Sequence, residues 1–425
     1  MARPEALLGE AGLSRLGPLR EREFRLLFAG RTISMAGSAM APVALAFAVL
    51  NTLHGSATDI GIVLAARQIA VILLLLFGGV LADRLPRHRV MVASNVVSGT
   101  SQAVTAALLL TGHAKLWHLA VLAAINGSSS AFFFPASTGV IPQTVPMPML
   151  QQANATLRLA LNATNITGAA IGGILVAATS PGTAIAIDSA SYFLAALCIG
   201  LMRLPAGLRM QGSTMIGELH EGWQDFWSRP WLWAIVLQFG IVNAAEVGAL
   251  NVLGPTVAKH HLGGPAGWGA VLTAQSLGLV LCGVMMLRWR PQRILRTATY
   301  SVFGIVFVLI SLAVPAPLPI VIACAFLTGF SIEIFGVLWD TAVQQEIPQE
   351  KLSRISSYDA LGSWVLMPLG FIVAGPVGAA VGARATFIGA AVLTVAATGL
   401  VLLSRDVRTL ERRLAAPADA DAVAV

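Results

Sequence analysis

Residues 58–89 read TDIGIVLAARQIAVILLLLFGGVLADRLPRHR. From Ile60 to Leu81 the only charged side chain is Arg67. The run then stops at an Asp-Arg pair, Asp83-Arg84, followed by Arg87, His88 and Arg89. About 20 apolar residues, rising ~1.5 Å each, cross the ~30 Å hydrocarbon core of a bilayer. No water is present there to satisfy backbone groups, and the run lacks the alternation of a strand, so it reads as a membrane-spanning helix. The basic cluster after it marks the end held in the cytoplasm.

The same pattern recurs along the chain. Apolar runs fall near 24–50, 58–81, 90–111, 116–139, 154–178, 183–203, 231–257, 267–288, 294–314, 317–340, 355–378 and 382–404, which predicts an all-α membrane protein of twelve transmembrane helices. Composition agrees: 56% of the 425 residues are hydrophobic, 11% are charged, and mean hydropathy is +0.78. A soluble domain carries roughly 25% charged residues, so a water-faced globular enzyme is excluded. The net charge of +7 does not imply nucleic acid, because the cations are sorted by side. Of the 27 Lys and Arg, 23 lie on one side of the predicted topology, Lys115, Lys259 and Arg384 lie on the other, and Arg67 lies inside a helix. Both termini are therefore expected in the cytoplasm, and contact with anionic lipid is a secondary expectation. An arginine-rich arm leads into helix 1 with no small-residue cleavage site after it, so no cleavable signal is expected. Cys198, Cys282 and Cys324 sit in apolar runs and read as small core residues. The adjacent His260–His261 reads as a solvated loop pair, and no metal site is expected.

The predicted organisation is a cytoplasmic arm (1–23), a six-helix bundle (24–203), a cytoplasmic linker (204–230), a second six-helix bundle (231–404) and a cytoplasmic tail (405–425). In the linker, Leu219, Trp223, Phe226 and Trp227 stand near helical spacing, as in an amphipathic helix lying on the membrane face. The halves show weak internal similarity. Gly79, Arg84 and Arg89 after helix 2 match Gly283, Arg288 and Arg293 after helix 8, shifted by 204. Val145-Pro146 with Leu150 matches Ile347-Pro348 with Leu352, shifted by 202. Parallel repeats of six helices are an organisation of secondary transporters.

The loop Gly78 to Arg89 resembles the signature loop of the major facilitator superfamily: a glycine, an Asp-Arg pair, then a basic cluster. The resemblance implies a conformational latch made of Gly79, Asp83, Arg84, Arg87 and Arg89. In it, Gly79 lets helices approach closely and Asp83 faces the positive N-terminal end of helix 11. Further segments look like the single-chain exporter branch, similar to macrolide and siderophore efflux proteins: Phe24 to Met40, Gly112 to Pro135, Trp339-Asp340-Thr341 with Gln344, and Pro368-Leu369-Gly370. The stretch Gly168-Ala169-Ala170-Ile171-Gly172-Gly173 resembles the antiporter motif of helix 5, with Gly168, Gly172 and Gly173 as its key positions. The sequence departs from the pattern at Pro86, where glycine is usual, at Ala169, where proline is usual, and at Ser38, where many relatives carry an acid.

Ionisable residues inside the bilayer are functional candidates by default. Here these are Arg31, Arg67, Asp188, Glu246 and Glu333, joined by Asn126 and Asn243 as polar neighbours. Each is a candidate for proton coupling or substrate binding. The competing readings are snorkelling for Arg67, a position at the interface for Asp188, a buried polar pair of Glu246 with Asn243, and snorkelling or pairing with Glu333 for Arg31. Asn162 and Asn165 read as interhelical glue or cavity lining, and Phe132, Phe133 and Phe134 as packing or a greasy wall. Pro42, Pro135, Pro255 and Pro368 mark expected kinks. No phosphate-binding lysine loop, nucleophile elbow or zinc-protease motif is found, so neither ATP nor any cofactor is expected. The energy source is then an ion gradient, expected to be of protons. The function read from the sequence is proton-coupled export of an amphipathic small molecule from a cell-membrane monomer by alternating access. An importer or lysolipid flippase of the same fold is the runner-up. A membrane-bound lipid enzyme or a non-transporting sensor ranks lower.

Overall fold

Twelve helices of membrane-spanning length follow one another among the described residues of the computed structural model. These residues are 17–146, 149–204, 223–286, 288–314, 316–347 and 349–411, with only the backbone described at 76, 78–84, 139, 151, 349–354, 356 and 357. The first six are α1 (Arg22–Thr52), α2 (Ala57–Arg84), α3 (Arg87–Leu110), α4 (Leu116–Val140), α5 (Leu150–Ala178) and α6 (Pro181–Gly200). The second six are α7 (Pro230–His261), α8 (Gly264–Met286), α9 (Ile294–Ala313), α10 (Leu318–Glu346), α11 (Gln349–Trp364, resuming as Met367–Val381) and α12 (Ala383–Leu402). Each coincides with one apolar run, with its ends shifted by up to six residues. His260 and His261 are exposed in the last turn of α7, where the sequence had suggested a loop.

Eleven of the twelve are long and apolar enough to cross a bilayer on length and composition. The exception, α3, is polar on the face it buries: Ser94, Asn95, Ser98, Ser101 and Thr105 are all shut away from the surface. Small polar side chains let membrane helices approach closely and bond across the gap. Accordingly, Ser189 of α6 donates to the Gly99 carbonyl of α3 at 2.8 Å.

Two helices break where proline and glycine permit. The first turn-to-turn ladder of α1 ends at Ser38, and the helix resumes at Ala41 with Pro42 in its first turn. There the proline lacks no bond that it could have made. Likewise α11 stops at Trp364 and resumes at Met367, with Pro368 in the first turn of the new segment.

The chain forms two compact units. Unit 1 comprises Met1–Gln211 with Gly264–Thr273, and unit 2 comprises Gly212–Gly263 with Ala274–Val425. Within unit 1, α1 packs on α5 and α6, α3 on α4 and α6, and α2 on α4. Within unit 2, α7 packs on α11 and α12, α9 on α10 and α12, and α8 on α10 through Gly278 and Gly329. The pairing scheme repeats with an offset of six helices, the same periodicity that the two sequence matches carry.

Glycines mark the tightest crossings. A Cβ on Gly248 would stand 2.8 Å from the Gly370 carbonyl carbon, and one on Gly240 2.9 Å from the Gly362 oxygen, so α7 and α11 meet backbone to backbone. Most of the linker, its Leu219 included, lies outside the described residues. Its end, 223–227, is helical. There Trp223 and Phe226 lie against Tyr358 at 5.8 and 6.0 Å between ring centroids, and Trp227 lies against Trp233 at 5.6 Å.

Candidate functional site

Unit 1 encloses a polar network contributed by five helices. At its centre is Asp188 of α6, with no exposed surface. Gln102 of α3 donates from Nε2 to Asp188 Oδ2 at 2.7 Å. The Ser38 hydroxyl, at the break in α1, is shared between Asp188 Oδ1 at 3.3 Å and the Tyr192 hydroxyl at 2.9 Å. Tyr192, one turn on from Asp188, lies close to Asn126 of α4. Asn126 Oδ1 in turn accepts from Arg67 Nε of α2 at 3.3 Å. Arg67 is near enough to act on both Asp188 and Tyr192 through its charge. Three sequence candidates, Arg67, Asn126 and Asp188, therefore belong to one assembly. Asp188 is buried within the unit, and Arg67 is bonded to Asn126.

The local sequence explains why these side chains can meet. Gly37 stands at the α1–α6 crossing, where a Cβ would run into the Ser191 hydroxyl and lie 2.8 Å from Asp188 Oδ1. Gly127 stands at the α2–α4 crossing, where a Cβ would run into the Arg67 carbonyl oxygen. Removing the side chain at each crossing brings a polar neighbour, Ser38 or Asn126, within bonding reach of the facing helix.

The helix 5 glycines divide between two partners. Gly168 and Gly172, one turn apart, face the break in α1: a Cβ on Gly168 would meet Ala39, and one on Gly172 would lie 2.9 Å from Met40 Cα. Gly173 faces the first turns of α8, which belong to unit 1, and a Cβ there would stand 2.7 Å from the Pro265 oxygen. Arg31 is half-buried, with its Nε buried and without a hydrogen-bond partner.

Unit 2 holds a cavity of about 230 Å³ between α7, α10 and α11. Phe239 and Phe335 lie 4.1 Å apart between centroids, and Phe335 stacks on Trp339 at 5.9 Å. Asp359 of α11 closes the polar side: Trp339 Nε1 donates to its Oδ2 at 2.8 Å, and Ser363 Oγ to its Oδ1 at 3.3 Å. Asn243 lines the same cavity and donates to the Ser363 carbonyl at 3.0 Å. It does not pair with Glu246. Glu246 is 4% exposed and has no hydrogen-bond or ion-pair partner among the described residues. It stands seven residues beyond Phe239, hence two turns along the same face of α7. Glu333 is half-buried in α10, with Oε1 3.5 Å from where a Cβ on Gly283 would be, and near Cys282.

The latch residues Gly79, Asp83 and Arg84 lie where only backbone is described, at the end of α2, as does the start of α11. Arg87 is half-buried and Arg89 exposed in the first turn of α3.

A family model described as the Major Facilitator Superfamily matches residues 27–365. The chain belongs to the major facilitator superfamily. Among curated relatives of this facilitator, the Multidrug efflux pump Tap of Mycolicibacterium fortuitum is 27% identical over 378 residues, 85% of this chain and 90% of that one. Macrolide efflux protein A of Streptococcus pyogenes is 22% identical over 399 residues, 92% of this chain and 97% of that one. Among solved structures, the nucleoside transporter NupG superposes with a TM-score of 0.70 at 12% identity, covering 90% of this chain and 98% of that one. A bacterial homologue of the human lysosomal transporter Spinster, in an inward-facing, unoccupied state, gives 0.69 at 14% identity, covering 91% and 98%. The likeness to both structures is one of fold.

Several members of the facilitator's two polar clusters were not singled out in the sequence. Gln102 and Tyr192 are single polar residues in otherwise apolar helices, common enough to carry no signal alone. Asp359 falls near the start of an apolar run, close to Lys351 and Arg354, and reads there as a boundary charge. Ser38 was visible only as a departure from the family pattern, yet it is the α1 group that reaches Asp188.

Proposed function

We propose that this facilitator is a proton-coupled exporter of amphipathic small molecules, working as a monomer in the cell membrane by alternating access between its two six-helix halves. Membership of the superfamily supports transport of a small molecule, and the efflux pumps among its relatives support export. The observation that carries proton coupling is Asp188: a carboxylate with no exposed surface, contacted by donors from two other helices, with Arg67 close by. A buried charge that must be balanced is costly to keep and easily disturbed. A proton arriving on one Asp188 oxygen would displace the donor on that oxygen, Gln102 or Ser38, leave the other oxygen as an acceptor, and alter the balance with Arg67. That links protonation to the spacing of α1, α3 and α6. Glu246 is the second carboxyl proposed to exchange a proton, on the α7 face that continues from the aromatic cavity. No catalytic role is assigned to any residue, and the driving force is the proton gradient rather than a bound cofactor.

The experiment is uphill transport in proteoliposomes under an imposed pH gradient, with hydrophobic cations, macrolides and siderophores as test cargo. Wild type should move protons and cargo in opposite directions. Asp188→Asn should abolish uphill movement while leaving cargo exchange at equal concentrations. Gradient-driven transport by that variant at the wild-type rate would remove Asp188 from the mechanism.

The signature loop supports a latch between Asp83 and the N-terminal end of helix 11. A carboxylate at a helix N-terminus is favoured by roughly 0.3–1 kcal/mol, up to ~2 when partly buried. A shift between two conformations of several-fold, up to tens-fold, follows. Asp83→Asn should slow turnover more than it weakens cargo binding. Normal turnover in that variant would leave Asp83 a charge in a basic loop.

A further inference from the structure

We propose that the cavity of unit 2 between α7, α10 and α11 is a subsite for a cationic aromatic group, with Asp359 as its counter-charge and Phe239, Phe335 and Trp339 as its walls. That such a group is cargo rests on the transporter reading; that it binds there does not.

Three features of the cavity select this chemistry. Its volume, about 230 Å³, falls below the 300–1,000 Å³ range of drug-sized pockets, so it accepts one ring-bearing group and not a whole large molecule. Its lining includes a run of three aromatic rings, Phe239 against Phe335 at 4.1 Å and Phe335 stacked on Trp339 at 5.9 Å between centroids. Aromatic faces attract cations held within ~6 Å of the ring centre. Finally, the one ionisable group in its lining is an acid. The Trp339 N–H is already spent on Asp359, and one Asn243 amide N–H on the Ser363 carbonyl. The Asp359 oxygens face the cavity as charged acceptors. None of the residues lining the cavity is basic, and no Lys or Arg pairs with Asp359 among the described residues. Another carboxylate, Asp340, stands close enough to act on it through its charge. The charge of Asp359, with no basic side chain in the lining to oppose it, favours a cationic guest over a neutral or anionic one.

The competing account is that Trp339 and Asp359 merely tie α10 to α11. The two accounts part on ligand charge. Full-length protein in phosphatidylcholine nanodiscs would be tested by equilibrium dialysis with benzyltrimethylammonium and with its neutral isostere, neopentylbenzene. Asp359→Asn keeps an acceptor for the Trp339 N–H while removing the charge. It should weaken the cation about tenfold and leave the neutral isostere within about twofold. Phe335→Leu should weaken the cation severalfold. It also serves if Asp359→Asn does not fold. Cation affinity unchanged in either folded variant overturns the proposal. So does an equal loss for cation and isostere in Asp359→Asn. Cation binding with these losses, in a protein that moves nothing in proteoliposomes, would sink the transporter reading and leave the subsite standing. Uphill transport with unaltered cation binding in the variants would do the opposite.

Discussion

Asp188 is the residue on which most of unit 1 converges. Replacing it by Leu removes the acceptor for Gln102 and Ser38 and leaves those polar groups buried. An unmade buried hydrogen bond costs roughly 1–3 kcal/mol. Asp188→Leu should therefore lower thermal stability in detergent by several degrees. Asp188→Asn, which retains a carbonyl acceptor for Gln102, should lower it much less, while transport is lost in both. Equal stability of wild type and Asp188→Leu would show that the network is not holding the bundle. At Glu246, which has no partner among the described residues, Glu246→Gln should not lower stability, because it neutralises a buried group that is costly when charged. Its effect should appear as altered pH dependence of transport, and an unaltered profile would exclude it from coupling. Arg67, Asn126 and Asp188 could each be found in the sequence because a polar group in an apolar run is conspicuous. Their union could not, since the bonds that join the network span 59, 86 and 150 residues.

At the scale of helices, the twelve elements were legible because each bilayer crossing imposes the same length and polarity on the chain. Helix pairing was not, because it depends on where small residues let backbones touch, and this sequence has 41 glycines to choose among. The structure distinguishes those that set crossings. Gly127 holds α4 against the Arg67 backbone of α2, and Gly172 holds α5 against the break in α1. Neither backbone can yield as a flexible side chain would. Gly127→Leu should cost roughly 1–3 kcal/mol through overpacking and move Asn126 out of reach of Arg67. Thermal unfolding and transport should fall together. Gly389, with open space where its Cβ would be, provides the control. Gly389→Ala, in the interior of α12, should leave stability unchanged or slightly raised, since alanine favours helix.

At the scale of the whole chain, we propose from the sorting of the basic residues that both termini lie in the cytoplasm. Single cysteines placed at Gly55 or Gly263 should react with an impermeant thiol reagent added to intact cells. A cysteine at Arg408 should not react until the cells are opened. The reverse pattern would invert the topology and with it the direction of export. The central claim is narrower than topology: a proton taken up at Asp188 drives cargo across. The most direct test is the proton flux that cargo elicits in proteoliposomes with no gradient of other ions, read by an internal pH dye. Wild type should move protons when cargo is supplied, and Asp188→Asn should exchange cargo with no accompanying flux. Cargo-driven proton movement of wild-type size in Asp188→Asn would contradict the account.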